Sequence, residues 1–140
     1  MHSRTAFANR AGMTLIEIMV AVSLLAMASS IAIPRVTAVR NQLTLDAAAQ
    51  ELTHQLHLAR SEAIKRNTPV SFHKLDDKTF NVGTLSHRKL PGSVVFGSTA
   101  PDSVRYASFG PPISGAAVIP LQIGTLTKNV RVNAAGYASY

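Results

Sequence analysis

Between Met13 and Ile33, sixteen of twenty-one residues are apolar, and the only charge among them is Glu17. As a helix rising about 1.5 Å per residue, this run would be roughly 31 Å long, enough to cross a bilayer's hydrocarbon core. No small water-soluble domain buries such a segment all round. The twelve residues before it carry Arg4 and Arg10 and no acid, which suits a short cytoplasmic lead-in under the positive-inside rule. Three fates fit this pattern. A secretory signal would be cut after a small-residue site, Ala26-Met27-Ala28 or Val36-Thr37-Ala38, leaving an N-terminus near Ser29 or Val39. A plain anchor would keep the whole segment. The third fate turns on Glu17, because a carboxylate inside an apolar run costs roughly 2.5–3.5 kcal/mol at mid-bilayer and points to function.

The whole chain has 140 residues, room for one modest domain after the apolar run. It has no cysteine, which excludes a disulfide scaffold, a thiolate zinc site and a cysteine nucleophile. From Pro34 onward the helical pattern continues to about Asn67. Leu45, Ala48, Ala49, Leu52, Leu56, Ala59 and Ala63 form one stripe of 3.6-residue period. Pro34 should kink the helix without ending it. Arg60, Lys65 and Arg66 suit the negative end of the helix dipole, and Asn67 with Pro69 supplies a stop.

Beyond Pro69 short β-type runs alternate with turns. Val70–Leu75 and Thr79–Gly83 flank Asp76-Asp77-Lys78 as a hairpin. Ser93–Gly97, Val104–Phe109, Ala116–Ile123 and Asn129–Asn133 follow, and Pro120 implies an edge strand or a bulge. The expected fold is α+β: residues 13–33 as a membrane helix, 34–67 as its amphipathic continuation, and 68–140 as an antiparallel sheet domain beneath it.

The string Ala11-Gly12-Met13-Thr14-Leu15-Ile16-Glu17 resembles the processing site of type IV prepilins and type II secretion pseudopilins. The resemblance implies cleavage by prepilin peptidase between Gly12 and Met13, N-methylation of Met13, and Glu17 as the fifth mature residue. It makes residues 1–12 a leader and places Pro34 at a familiar kink position. It also implies an inner-membrane single pass with the N-terminus cytoplasmic, then a periplasmic or surface filament. The implied partners are other minor and major pilins or pseudopilins and the inner-membrane assembly platform. In such a filament the freed amine of Met13 is a buried cation, and a neighbour's Glu17, one helical turn along, can pair with it and set register. The stretch from Leu52 to Val70, with Phe109-Gly110, Ile123-Gly124, Val130–Asn133 and Gly136, is similar to the minor pseudopilin H and FimT group. That similarity implies a structural subunit of a type IV pilus or type II secretion pseudopilus that helps prime or cap it.

Catalytic patterns are missing: there is no nucleophile elbow, paired-carboxylate site or phosphate loop. No cofactor and no metal is expected. His54 and His57, three apart, read as solvent-facing residues, and Asp76-Asp77 as a turn. The basic excess is less easily dismissed. Losing the leader lowers the net charge only from +7 to +5. His87, Arg88, Lys89, Arg105, Lys128 and Arg131 all lie in the β region. Some FimT-type subunits bind DNA through a Gly-Arg-x-Arg motif, but here the matching stretch is Gly136-Tyr137-Ala138-Ser139, without either arginine. DNA binding through Arg88, Lys89, Lys128 and Arg131, with Tyr137 and Tyr140 stacking on bases, is the alternative function. Four phosphate contacts would give a log–log salt slope of about −3.6.

Overall fold

In the computed structural model, the structure describes residues 14–83 and 87–140, apart from the side chains of residues 31–34. The chain divides into two units, residues 1–37 and 38–140. One helix, α1, is assigned over Leu15–Arg66. Pro34 lies inside that span, but its side chain and the expected kink fall outside the described residues, as do Gly12 and Met13.

The second unit begins with the amphipathic part of α1. Every member of the periodic stripe is buried, from Leu45 through Ala63, with Leu52 and Leu56 wholly enclosed. Four of the seven are alanines, so the helix axis can lie close to what it packs on. Gln55 is buried beside them and donates through Nε2 to Glu51 Oε1 at 2.8 Å. The helix ends as its sequence implies. Asn67 takes φ of 51°, its N–H donates to Ile64 O, and the Thr68 N–H reaches back to Ala63 O at 3.2 Å. This is a Schellman closure in which asparagine occupies the left-handed position usually given to glycine.

Eight strands follow: β1 Val70–Lys74, β2 Thr79–Val82, β3 Arg88–Lys89, β4 Val95–Phe96, β5 Ser103–Tyr106, β6 Ala117–Ile123, β7 Leu126–Val132 and β8 Ala138–Ser139. The expected single sheet is in fact two antiparallel sheets, ordered β3-β2-β1-β5 and β4-β6-β7-β8. The β1–β2 hairpin forms as expected. Asp76 Oδ1 accepts from the backbone N–H of Lys78 and of Thr79, both at 2.7 Å. Those two donors hold its carboxyl below the usual range, so this turn contribution is lost only as pH falls through that lowered value. The strands β3 and β8 have two residues each and leave no periodic trace in the sequence.

An aromatic triangle joins the sheets. Phe72 and Phe80 of the first sheet meet Phe96 of the second at centroid distances of 6.1 and 6.0 Å, and each other at 5.5 Å. The edge-to-face and tilted arrangements suit the ring quadrupoles. Pro120 was expected at an edge or bulge but lies in β6, between β4 and β7. It is tolerated because its ring faces the place where β4 stops. Gly97 donates to Pro120 O at 2.8 Å, and Pro120, having no N–H, cannot return the bond. A Cβ on Gly97 would lie 2.9 Å from the Pro120 ring, so glycine is needed at this closure.

Phe96→Ala, which empties the junction of both sheets, should cost about 3–5 kcal/mol, read as the denaturation midpoint of the detergent-solubilised chain. Among the described residues the buried Tyr106 hydroxyl has no hydrogen-bond partner, and desolvation pushes its phenol up to about 12, against the opposing charge of Arg60. Tyr106 should therefore ionise late in an absorbance titration, near pH 12. Because the folded value is raised, stability should be intact below about pH 10 and fall as pH climbs toward 12. Tyr106→Phe should remove that alkaline loss.

Candidate functional site

The first unit presents its apolar surface outward. An eighteen-residue window of α1 has mean hydropathy 2.2 and none of it is buried. Leu15, Ile16, Met19, Val22, Leu25 and Met27 are each at least 60% exposed. The hydroxyls within the run are turned back on the helix. Ser23 Oγ donates to Met19 O, Ser29 Oγ to Leu25 O and Ser30 Oγ to Met27 O, at 2.7–2.8 Å. Such bonding removes the polar cost of serine in a medium without water. What stays outside is hydrocarbon, apart from Glu17.

Thr14 caps this helix. Its Oγ1 accepts from the Glu17 N–H at 3.3 Å, and its carbonyl accepts from Glu17 and Ile18. Thr14-Leu15-Ile16-Glu17 has the T-x-x-E spacing of a capping box, a local signal of the helix start that the apolar run obscures. Glu17 thus sits in the first turn, where the helix dipole favours a negative charge. Among the described residues nothing pairs with its carboxylate.

In the second unit the basic residues separate into two classes. Arg88 Nη1 pairs with Glu51 Oε1 at 3.2 Å. Lys128 Nζ pairs with Asp46 Oδ1 at 2.6 Å and lies 4.5 Å from the Tyr140 ring centroid. Asp46 and Glu51 are five residues apart, about 140° around the helix. One pair therefore ties each flank of the buried stripe to a different sheet. Arg88 and Lys128, expected on one DNA-binding surface, are on opposite flanks and spend their charge on the helix. Lys89, Arg105 and Arg131 are exposed, and Lys89 contributes to lowering the Asp76 carboxyl. His87 is exposed as well.

His54 is exposed as expected, but His57 is not simply solvent-facing. It is half-buried, with Nε2 at 3.1 Å from Ala138 O, and its ring meets Tyr137 edge-on at 6.4 Å. It holds the last strand against the helix, an 81-residue separation that no local pattern signals. Arg60, expected to serve the helix dipole, instead stacks on the Tyr137 ring with Cζ 4.2 Å from the centroid. Among the described residues no group of three or more histidines and carboxylates could hold a metal ion.

The match to known families follows this division. Residues 7–33 match the prokaryotic N-terminal methylation motif, which spans Gly12, Met13 and Glu17. Residues 48–136 match the model described as type II transport protein GspH. No curated protein sequence matches the chain. Two crystal structures of the type IV minor pilin FimU from Pseudomonas aeruginosa PAO1 share the fold at 18% identity. One has a TM-score of 0.61 and covers 74% of this chain and 90% of its own; the other has 0.57, with 68% and 90%. An outward-facing apolar helix behind a methylation motif, followed by a helix-backed pair of antiparallel sheets, accords with the family match, and the chain belongs to the family of type II transport protein GspH.

Proposed function

We propose that the chain is a minor subunit that primes or caps a type IV pilus or a type II secretion pseudopilus. The observation that carries this reading is the apolar half of α1, whose eighteen-residue apolar window is unburied and whose charge, among the described residues, sits at its capped start. A surface of that kind needs lipid before assembly and other helices afterward. Prepilin peptidase would cut between Gly12 and Met13, and Met13 would be methylated. Glu17 would then lie one turn inside the new terminus, without a partner among the described residues, to receive the amine of an adjacent subunit. The inner-membrane platform would draw the helix from the bilayer, and the second unit would face neighbouring subunits. Pro34 would let the membrane half bend within the filament.

DNA capture is the weaker reading. Two of its four expected contacts, Arg88 and Lys128, are neutralised by Glu51 and Asp46. Lys89 and Arg131 are exposed but belong to different sheets. The net positive charge serves better to attract an acidic neighbour.

Mass spectrometry of the mature chain should find Met13 at the N-terminus, carrying one added methyl group. A terminus near Ser29 or Val39 would mean ordinary secretion instead. Glu17→Gln preserves the volume and the Thr14 cap but removes the charge. It should leave the chain in the inner membrane and folded, yet reduce its amount in sheared filaments by about tenfold or more, as expected when a buried cation loses its partner. Equal incorporation of wild type and variant would overturn the role given to Glu17.

A further inference from the structure

Arg60 has an unusual setting for an arginine on a short domain. Its Nε is buried with no partner, and among the described residues nothing accepts a hydrogen bond from its guanidinium. Its guanidinium stacks on the Tyr137 ring. Its stem passes two glycine turns. A Cβ on Gly136 would collide with Gly110 O and come within 3.1 Å of Arg60 Nε, and one on Gly110 would come within 3.3 Å of the same atom. Both glycines have positive φ, 109° at Gly110 and 84° at Gly136. The turns therefore meet only because neither carries a side chain, and together they hold Arg60 in place.

Around this arginine lie apolar groups that the fold leaves outside. Phe109, next to Gly110, is 77% exposed, Tyr137 53% and Ile64 45%. Ile64 Cδ1 would be 3.1 Å from a Cβ on Gly110, which puts it in the same patch. A pre-positioned arginine stacked on tyrosine, with isoleucine at the same Gly110 turn and an exposed phenylalanine one residue before it, has the make-up of a protein-binding hot spot. What it lacks is a carboxylate.

This chain is a poor source of one. Asp46, Glu51, Glu62 and Asp102 pair with Lys128, Arg88, Arg66 and Lys74, and Asp76 is held by its own turn. Beyond Glu17 only Asp77 is uncommitted, and it lies beside Lys78. A second copy would also bring a like net charge. We propose that the patch of Arg60, Ile64, Phe109 and Tyr137 docks a different pilin-like subunit, through an aspartate or glutamate set among apolar residues. This rests on the filament reading above and specifies the neighbour's chemistry.

A photo-crosslinking residue at position 109 of the full chain, expressed in its own bacterium, tests the surface, with the exposed position 127 of β7 as the reference. The expected product joins position 109 to another pilin-like subunit within a stretch holding an acidic residue. Arg60→Glu should lower its yield about tenfold or more, and Arg60→Lys less, since lysine keeps the charge but not the planar fork. Thermal melting of each variant checks folding, and Ile64→Asp on the exposed rim should reduce the yield even if the arginine variants fold poorly. Reversing the partner's acid to arginine should restore the product with Arg60→Glu. Crosslinking only to a second copy, to a stretch without an acid, or with equal yield in Arg60→Glu and Ile64→Asp would overturn the proposal. If the chain is absent from sheared filaments while the position-109 product still forms with its acidic partner, the filament reading fails and the docking surface stands.

Discussion

One helix serves two solvents, and the rest of the chain is organised around that demand. Over its first half the apolar side chains point outward in every direction, with serine hydroxyls folded onto the backbone. Over its second half one continuous apolar stripe is sealed by the sheets. The change follows from composition alone. An all-round hydrocarbon surface has no preferred water-facing side, whereas a stripe bounded by polar residues does.

The sheets complete the stripe instead of forming an independent core. Neither sheet has enough strands to enclose itself, and both contribute to a single cluster with Leu52 and Leu56. The phenylalanine triangle closes the seam between them. The ion pairs at Asp46 and Glu51 are partly exposed, and each is worth at most about 1 kcal/mol, so their value lies in orientation. They select which flank of the helix each sheet may approach.

Much of this was legible in the sequence, for definite reasons. The helix stripe was readable because periodicity is a local property, and all seven of its residues are buried. The stop at Asn67 was readable because few residues besides glycine accept a left-handed backbone. The hairpin at Asp76 was readable from its turn chemistry. Long-range pairings were not. Strands β3 and β8 exist only because β2 and β7 offer them an edge, and two residues cannot show alternation. The division into two sheets depends on which strands find each other across intervening loops. Pro120 misled because the rule for proline concerns a missing donor, and here the missing donor faces the end of β4, where no acceptor needs it. At the site, the apolar run was read from composition, whereas the roles expected of Gly12 and Glu17 came from the resemblance of Ala11–Glu17 to a processing site. Arg60 and His57 were misjudged because their partners, Tyr137 and Ala138, are about eighty residues away.

The ties on the two flanks of the helix also have a mechanical consequence. The Asp46–Lys128 and Glu51–Arg88 pairs, the His57 bond to the last strand and the buried stripe are spread along several turns of one rod. A pull along that rod would load these contacts in shear and together, so none can open alone in a zipper-like sequence. A domain attached in this way resists axial tension better than its small core would suggest. Peeling the helix away sideways would meet the contacts one at a time and need far less force.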